Sequence, residues 1–158
     1  MHPSLQISRR TEYGLRAMLF LASRTGADVV PFREIARRME VPEDFLAKIL
    51  KLLVRGQLVA STRGVHGGYR LARAPSDISF LDVMEAVEGP IQVNHCTSTH
   101  VHAGPGCDLS QDCTMFGVWR LGQERMLQVY REAKLDKLAM RGLTRAVPEG
   151  GLALTVLQ

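Results

Sequence analysis

Cysteine is almost absent from this 158-residue sequence, and where it occurs it is confined. Cys96, Cys107 and Cys113 lie in one segment, NHCTSTHVHAGPGCDLSQDCTMF, and no thiol lies elsewhere. An odd count does not close into a disulfide framework. Long hydrophobic runs are missing too, since stretches such as Ala17–Ala22 are far too short to cross a bilayer. Met1-His2-Pro3 leads into no charged start and apolar stretch, so no secretory signal is expected. The expected location is a reducing cytoplasm, where thiols stay available to metals. Also lacking are His-Glu-x-x-His, Cys-x-x-Cys, Gly-x-x-x-x-Gly-Lys, a Ser/His/Asp pattern and paired carboxylates. Without them an enzyme has no machinery, so a binding protein is expected.

What is present is enough apolar residue, 46%, for one domain or a small domain with an appendage. The net charge of +4 is unevenly spread. Residues 1–75 hold 13 Lys+Arg against 6 Asp+Glu, whereas residues 76–158 hold 7 against 10. A basic first half suits a phosphate-binding surface, although a solvated charged face would look the same.

Apolar spacing predicts a helix over 9–24, with Leu15, Met18, Leu19 and Ala22 on one face and Gly26 suited to a left-handed cap. After Pro31 the same spacing returns in Phe32, Ile35, Ala36 and Met39. Glu40-Val41-Pro42-Glu43 then forms a turn into a third helix over about 42–55, which Gly56 stops. On this helix Phe45, Ile49, Leu52 and Leu53 are expected to point inward. Asp44, Ala47, Lys48, Lys51 and Arg55 lie on the other side. Two short helices around a tight turn, the second with a basic face, make a helix-turn-helix with a recognition helix. Leu58–Arg63 and Tyr69–Ala72 are strand-like, and Gly64-Val65-His66-Gly67-Gly68 between them makes a glycine-rich hairpin tip. A hairpin directly after a recognition helix is a wing, so the fold class expected is mainly α with a small β wing. Lys48, Lys51 and Arg55 are the candidate major-groove contacts. Arg63 and His66 approach the minor groove, and Arg33, Arg37 and Arg38 anchor the DNA backbone.

Three thiols in a segment rich in Gly, Ser, Thr and His suggest a shared ligand, and soft thiolates favour iron–sulfur clusters, zinc or copper(I). His95, His100 and His102 flank Cys96. They are either part of a solvated loop or donors in a mixed His/Cys set, which suits zinc or a 2Fe–2S centre. Ser79–Glu88 reads as a helix packed back on the winged domain. Beyond Cys113, Met115, Trp119, Gly122, Met126, Val129 and Ala133 follow heptad spacing, the pattern of a helix–helix seam between two copies. Val118 and Leu121 widen that stripe toward the helix's own domain. The expected organisation is therefore a DNA-binding domain over 1–75, a helix, cysteine loop (91–114) and dimerisation helix over 76–143, and a tail over 144–158.

From about Ile7 to Leu138 the chain resembles the winged-helix regulators that include the iron–sulfur regulator IscR and the nitric-oxide sensor NsrR. The residues that carry the resemblance include Tyr13, Ala17-Met18, Ile35-Ala36, Phe45-Leu46, Gly56-Gln57-Leu58-Val59, and above all Arg63-Gly64-Val65-His66-Gly67-Gly68-Tyr69-Arg70-Leu71-Ala72. Ala86-Val87-Glu88-Gly89 and the three cysteines before Trp119 complete it. The resemblance implies a homodimer on double-stranded operator DNA, with the cysteine loop of one subunit near the DNA-binding domain of the other. In the IscR-like pattern a His follows the third cysteine by three residues. Here Phe116 stands there and cannot bind iron. The NsrR-like pattern uses a carboxylate from the partner's first helix, which corresponds to Glu12. The resemblance thus implies a repressor holding a cluster, 4Fe–4S in preference to 2Fe–2S, through Cys96, Cys107, Cys113 and Glu12, and responding to nitric oxide or oxidants. A 2Fe–2S regulator sensing redox state or cluster supply, and a zinc-bound or metal-free DNA-binding protein, stay open as alternatives.

Overall fold

The first helix begins at a side-chain cap. The Thr11 backbone N–H donates to the Ser8 hydroxyl at 3.1 Å, and α1 (Arg9–Ala22) follows. The computed structural model describes residues 7–24, 28–94 and 113–140. Cys96, Cys107, the three histidines around them, Gly26 and the tail after Met140 lie outside the described residues.

α1 buries Leu15, Ala17, Met18, Phe20 and Leu21, so more of its circumference is covered than its periodicity implied. α2 (Phe32–Met39) buries Ile35 and Ala36 and ends on Glu40, whose φ of 53° turns the chain left-handed. α3 (Glu43–Arg55) buries Leu46, Ile49, Leu50 and Leu53. These three helices, with Val41 in the turn and Leu58 and Val59 beyond α3, build one core.

The inward face of α3 is rotated from the sequence reading. Leu46 and Leu50 are fully buried, Leu52 is half-buried and Phe45 is 53% exposed. Both phases are apolar on this helix, and the neighbours decide. Gly14 lets α1 approach so closely that a Cβ there would lie 3.1 Å from Val87 Cγ2 and 3.6 Å from Ile49 Cγ2. Ile49 is thus drawn to the centre, and Phe45 is left at the rim against Tyr13.

α3 ends as expected but by a different division of labour. Gln57, at φ 57°, takes the left-handed position, and the Leu58 N–H reaches back to the Leu53 carbonyl at 3.0 Å. Gly56 is needed for space, since a Cβ there would lie 3.0 Å from Ala86 Cβ.

β1 (Val59–Thr62) pairs antiparallel with β2 (Gly68–Leu71), Val59 opposite Leu71 and Thr62 opposite Gly68. Val30 adds a bridge on the other side of β2. Its N–H donates to the Tyr69 carbonyl at 2.8 Å, and the Tyr69 N–H returns to the Val30 carbonyl at 2.9 Å. The hairpin is therefore fixed to the body at its root. A 3₁₀ turn (Pro75–Asp77) leads into α4 (Phe80–Glu88). There Ser79 and Asp82 form a reciprocal capping box, and Val83, Met84 and Val87 are buried.

α5 (Thr114–Glu132) is attached mainly at its C-terminal end. Tyr130 packs on Phe80 with ring centroids 5.6 Å apart, and the Ala133 carbonyl accepts from the Phe80 N–H at 2.8 Å. A short helix, α6 (Leu135–Met140), then places Leu135 in the core. No residue of α5 is buried, and Val118 and Leu121 are 68% and 53% exposed. The expectation that these two face their own domain is corrected: among the described residues neither side chain is covered. No described helix is long and apolar enough to cross a membrane.

Candidate nucleic-acid interface and cysteine segment

The order α1–α2–turn–α3–hairpin brings the basic residues to one region of each element. Lys48, Lys51 and Arg55 are exposed along α3, opposite its buried leucines. Arg33, Arg37 and Arg38 are exposed on α2. None of these six, nor Arg63, forms an ion pair among the described residues. Arg10, Arg16 and Arg24, by contrast, are paired with Glu88, Glu12 and Glu34. Cations held out in water without acidic partners are available to phosphates.

The wing tip is shaped by its glycines. The Gly67 N–H donates to the Gly64 carbonyl at 2.9 Å, closing a tight turn with Gly64 at φ 113°. A side chain at Gly67 would strike the Thr62 carbonyl oxygen at 2.4 Å. Arg63, Val65 and His66 are all exposed around this turn. The hairpin thus presents one guanidinium and one imidazole from a short, constrained tip.

Of the proposed metal ligands the structure describes two. Cys113 is half-buried at the N-cap of α5, and it makes no side-chain capping bond. Among the described residues its sulfur has no partner. Glu12 lies in the first turn of α1, exposed and ion-paired with Arg16 one turn on. The donor chemistry suits a cluster: soft sulfur from the segment and a hard, displaceable carboxylate held outside the core.

A second acidic site was not anticipated from sequence. Glu88, at the end of α4, accepts from Arg10 Nη2 at 2.6 Å and Nε at 3.2 Å, from the Thr11 hydroxyl at 3.1 Å, and from the Ser8 hydroxyl. The Arg10 guanidinium, and after it the Ser8 and Thr11 hydroxyls, hold the carboxyl down at about 2 against burial, which acts to raise it. The same bond raises Arg10 above its ordinary value. Glu88 thus ties the last turn of α4, just ahead of the cysteine segment, to the first turn of α1, which carries Glu12.

Residues 7–141 match the family model described as Rrf2, iron-dependent transcriptional regulator. The chain belongs to the Rrf2 family. Its members are DNA-binding transcriptional regulators and not enzymes, and the helix-turn-helix, wing and open cationic face are the parts such a protein needs. A Mycobacterium tuberculosis (strain ATCC 25618 / H37Rv) protein named as an HTH-type transcriptional regulator is 33% identical over 147 residues. The match spans 92% of this chain and 88% of that protein. The structure of CymR, the global cysteine regulator of B. subtilis, is similar with a TM-score of 0.69 and 27% identity over 87% of this chain and 98% of CymR. T. potens IscR is similar with a TM-score of 0.68 and 27% identity over 92% of this chain and 94% of IscR. Family membership accounts for the winged-helix part of the sequence reading. It does not choose between a cysteine regulator and IscR, to which the chain is equally similar.

Sequence reasoning missed three residues that shape this Rrf2 surface. Phe45 was placed inside because its spacing to Ile49 and Leu52 fits a helical stripe. Glu88 carried no signal beyond its place in Ala86-Val87-Glu88-Gly89, because its partners are some 80 residues away. Val30 gave no strand signal, since a single bridge leaves no alternation to read.

Proposed function

We propose that this Rrf2 protein is a homodimeric, cytoplasmic transcriptional repressor that binds a pseudo-palindromic operator and carries an iron–sulfur cluster. The observation that carries the proposal is the placement of every thiol in the chain in one segment between α4 and α5, within a family described as iron-dependent. Cys96, Cys107 and Cys113 are the sulfur ligands, and Glu12 of the partner subunit is the fourth. 4Fe–4S is preferred over 2Fe–2S. When bound, the cluster supplies a group that nitric oxide or oxidants can attack.

The chain's own part is mechanical and electrostatic. Lys48, Lys51 and Arg55 enter the major groove, Arg63 and His66 meet the minor groove, and Arg33, Arg37 and Arg38 hold phosphates. Cysteine ligation fixes the segment that follows Glu88, and Glu12 fixes the partner's α1. Together these bias the recognition helices toward the spacing that the operator requires. Without a cluster held by Cys96, Cys107, Cys113 and Glu12 that bias would be absent, which would favour release of the operator. Heptad residues of α5, with Met115, Trp119 and Val129 exposed, form the seam between the two copies.

The test is iron, sulfide and zinc content with a visible spectrum on protein purified without oxygen. Operator binding by the loaded, nitric-oxide-treated and metal-free forms is then compared. About four iron and four sulfide per chain, with operator binding lost after nitric oxide, is expected. Two of each would assign a redox-sensing 2Fe–2S regulator instead. Zinc or no metal after reconstitution, or equal operator affinity of all three forms, would overturn the cluster reading. It would leave a metal-free or zinc-bound regulator.

A further inference from the structure

Phe45 is the one large apolar side chain of the recognition helix that the fold leaves uncovered. It is 53% exposed, while Leu46, Ile49, Leu50 and Leu53 are fully buried. It lies in the first turn of α3, beyond Glu43 and Asp44. Lys48, three residues on, is about 60° away round the helix, so Phe45 borders the cationic row. An exposed phenyl ring in water is unfavourable, and this one is also held in place. Its ring meets Tyr13 of α1 edge-on, with centroids 6.3 Å apart and planes at 72°, and Arg16 lies over the other aromatic with Cζ 5.8 Å from the Tyr13 centroid. A side chain that is both uncovered and buttressed is suited to meeting something rigid.

We infer that Phe45 is a specificity residue of the DNA interface, making an apolar contact with the C5-methyl group of a thymine in each operator half-site. The inference rests on the DNA-binding reading and adds the base it selects. The first turn of a recognition helix is the part that meets base edges in the major groove. A phenyl ring has no donor or acceptor, so it cannot read the hydrogen-bonding pattern there. The thymine methyl is the one apolar feature that the groove offers. The neighbouring Lys48 and Lys51, which enter the same groove, add the charge attraction that brings the ring to it.

The experiment begins with a duplex selected from a random library by the purified, cluster-loaded dimer. Each thymine is then replaced in turn by deoxyuridine, which keeps every hydrogen-bonding group and removes only the methyl. Wild-type protein should lose about fourfold in affinity per half-site at one symmetry-related pair of positions, the effect of one buried methyl-sized group. Phe45→Ala should bind the thymine duplex more weakly and show no further loss with deoxyuridine. Its salt dependence should equal the wild type's, because no charge has changed. Phe45→Leu should keep part of the methyl response, and it decides the matter if the alanine variant does not fold.

A wild-type protein that selects a sequence but is insensitive to deoxyuridine at every position would overturn the inference and leave the DNA-binding reading intact. Failure to select any sequence would overturn both. If Phe45→Ala weakens thymine and deoxyuridine duplexes alike while dissociating the dimer, the ring belongs to a contact with the second copy and the inference falls.

Discussion

Replacing Gly68 by Ala tests whether the wing works as a rigid extension of the body. A Cβ at this position would lie 2.2 Å from the Val30 carbonyl oxygen, 2.6 Å from its carbon and 3.0 Å from the Pro31 nitrogen. All three are backbone atoms, so no side chain can swing aside. The segment at Val30 must move, and the bridge to Tyr69, with its bonds of 2.8 and 2.9 Å, breaks. Two lost hydrogen bonds cost about 1 kcal/mol each. Loosening Val30, which is only 2% exposed, adds about 1 kcal/mol. Gly68 does not sit at positive φ, so the stiffer alanine chain returns about 0.5 kcal/mol through the unfolded state. The balance is a destabilisation of about 2–3 kcal/mol, seen as a fall of about 1 M in the urea midpoint. Operator affinity should fall as well, because Arg63 and His66 are carried on the hairpin whose root has moved. Gly117→Ala is the control: nothing lies within 4 Å of a Cβ there, and in α5 the change should stabilise by up to about 1 kcal/mol. A Gly68→Ala protein with the wild-type midpoint and wild-type operator affinity would refute the reasoning.

Arg63→Ala should weaken operator binding by about 1–3 kcal/mol if the guanidinium reads a base, or by less with a shallower salt slope if it meets only phosphate. Filter binding across salt concentrations separates the two, and no change in either removes Arg63 from the interface. Glu88→Gln should flatten the acid limb of stability. A carboxyl held at about 2 against an ordinary 4.5 contributes fully above pH 4.5 and loses that contribution as pH falls toward 2. The full depression corresponds to about 3 kcal/mol, but Arg10 is 47% exposed and screening leaves about 1 kcal/mol. Urea titrations at pH 7 and pH 3 should therefore differ less in the variant than in the wild type, and equal differences would count against the pair. Trp119→Glu should raise the dimer dissociation constant at least about a hundredfold in sedimentation, because a charge would enter the apolar seam. A wild-type monomer at all concentrations would remove the seam altogether. Glu12→Ala should speed the bleaching of the cluster's absorption in air, whereas an unchanged spectrum and decay rate would exclude the carboxylate as ligand.

The elements near the recognition helix were legible because their signals are local. Helix period, the turn at Glu40–Pro42 and the glycine-rich tip each need only a dozen residues of sequence. What failed depended on distant neighbours. Phe45 and Leu46 are both apolar and adjacent, so periodicity fits either as the inward residue, and only the close approach of α1 at Gly14 selects Leu46. The same holds for Gly56, which reads as a helix stop but is also required for space against Ala86 of a later helix. On α5 the heptad pattern is real, yet sequence could not tell an intramolecular stripe from an intermolecular one. Met115, Val118, Trp119 and Leu121 are exposed, so these four side chains are left for a partner by the described residues of their own chain. The cysteine site was legible only as a composition, three thiols in a polar segment.

The first turn of α1 is where the two proposed functions of the chain come within reach of one another. Ser8, Arg10 and Thr11 grip Glu88, so the start of α1 is tied to the end of α4. On the other side of the same turn, Glu12 holds Arg16, Arg16 lies over Tyr13, and Tyr13 meets Phe45 of α3. Gly14 closes the remaining gap by letting α1, α3 and α4 meet at a single crossing formed by Ile49, Val83 and Val87, a contact too tight to shear without cost. Withdrawing Glu12 from Arg16 to a metal would leave the guanidinium held by the Met39 carbonyl and the Tyr13 ring alone, next to the side chain that supports Phe45. The effect would fall on the side chains at the rim of the recognition helix, while the buried leucines on the far side of α3 keep the fold unchanged.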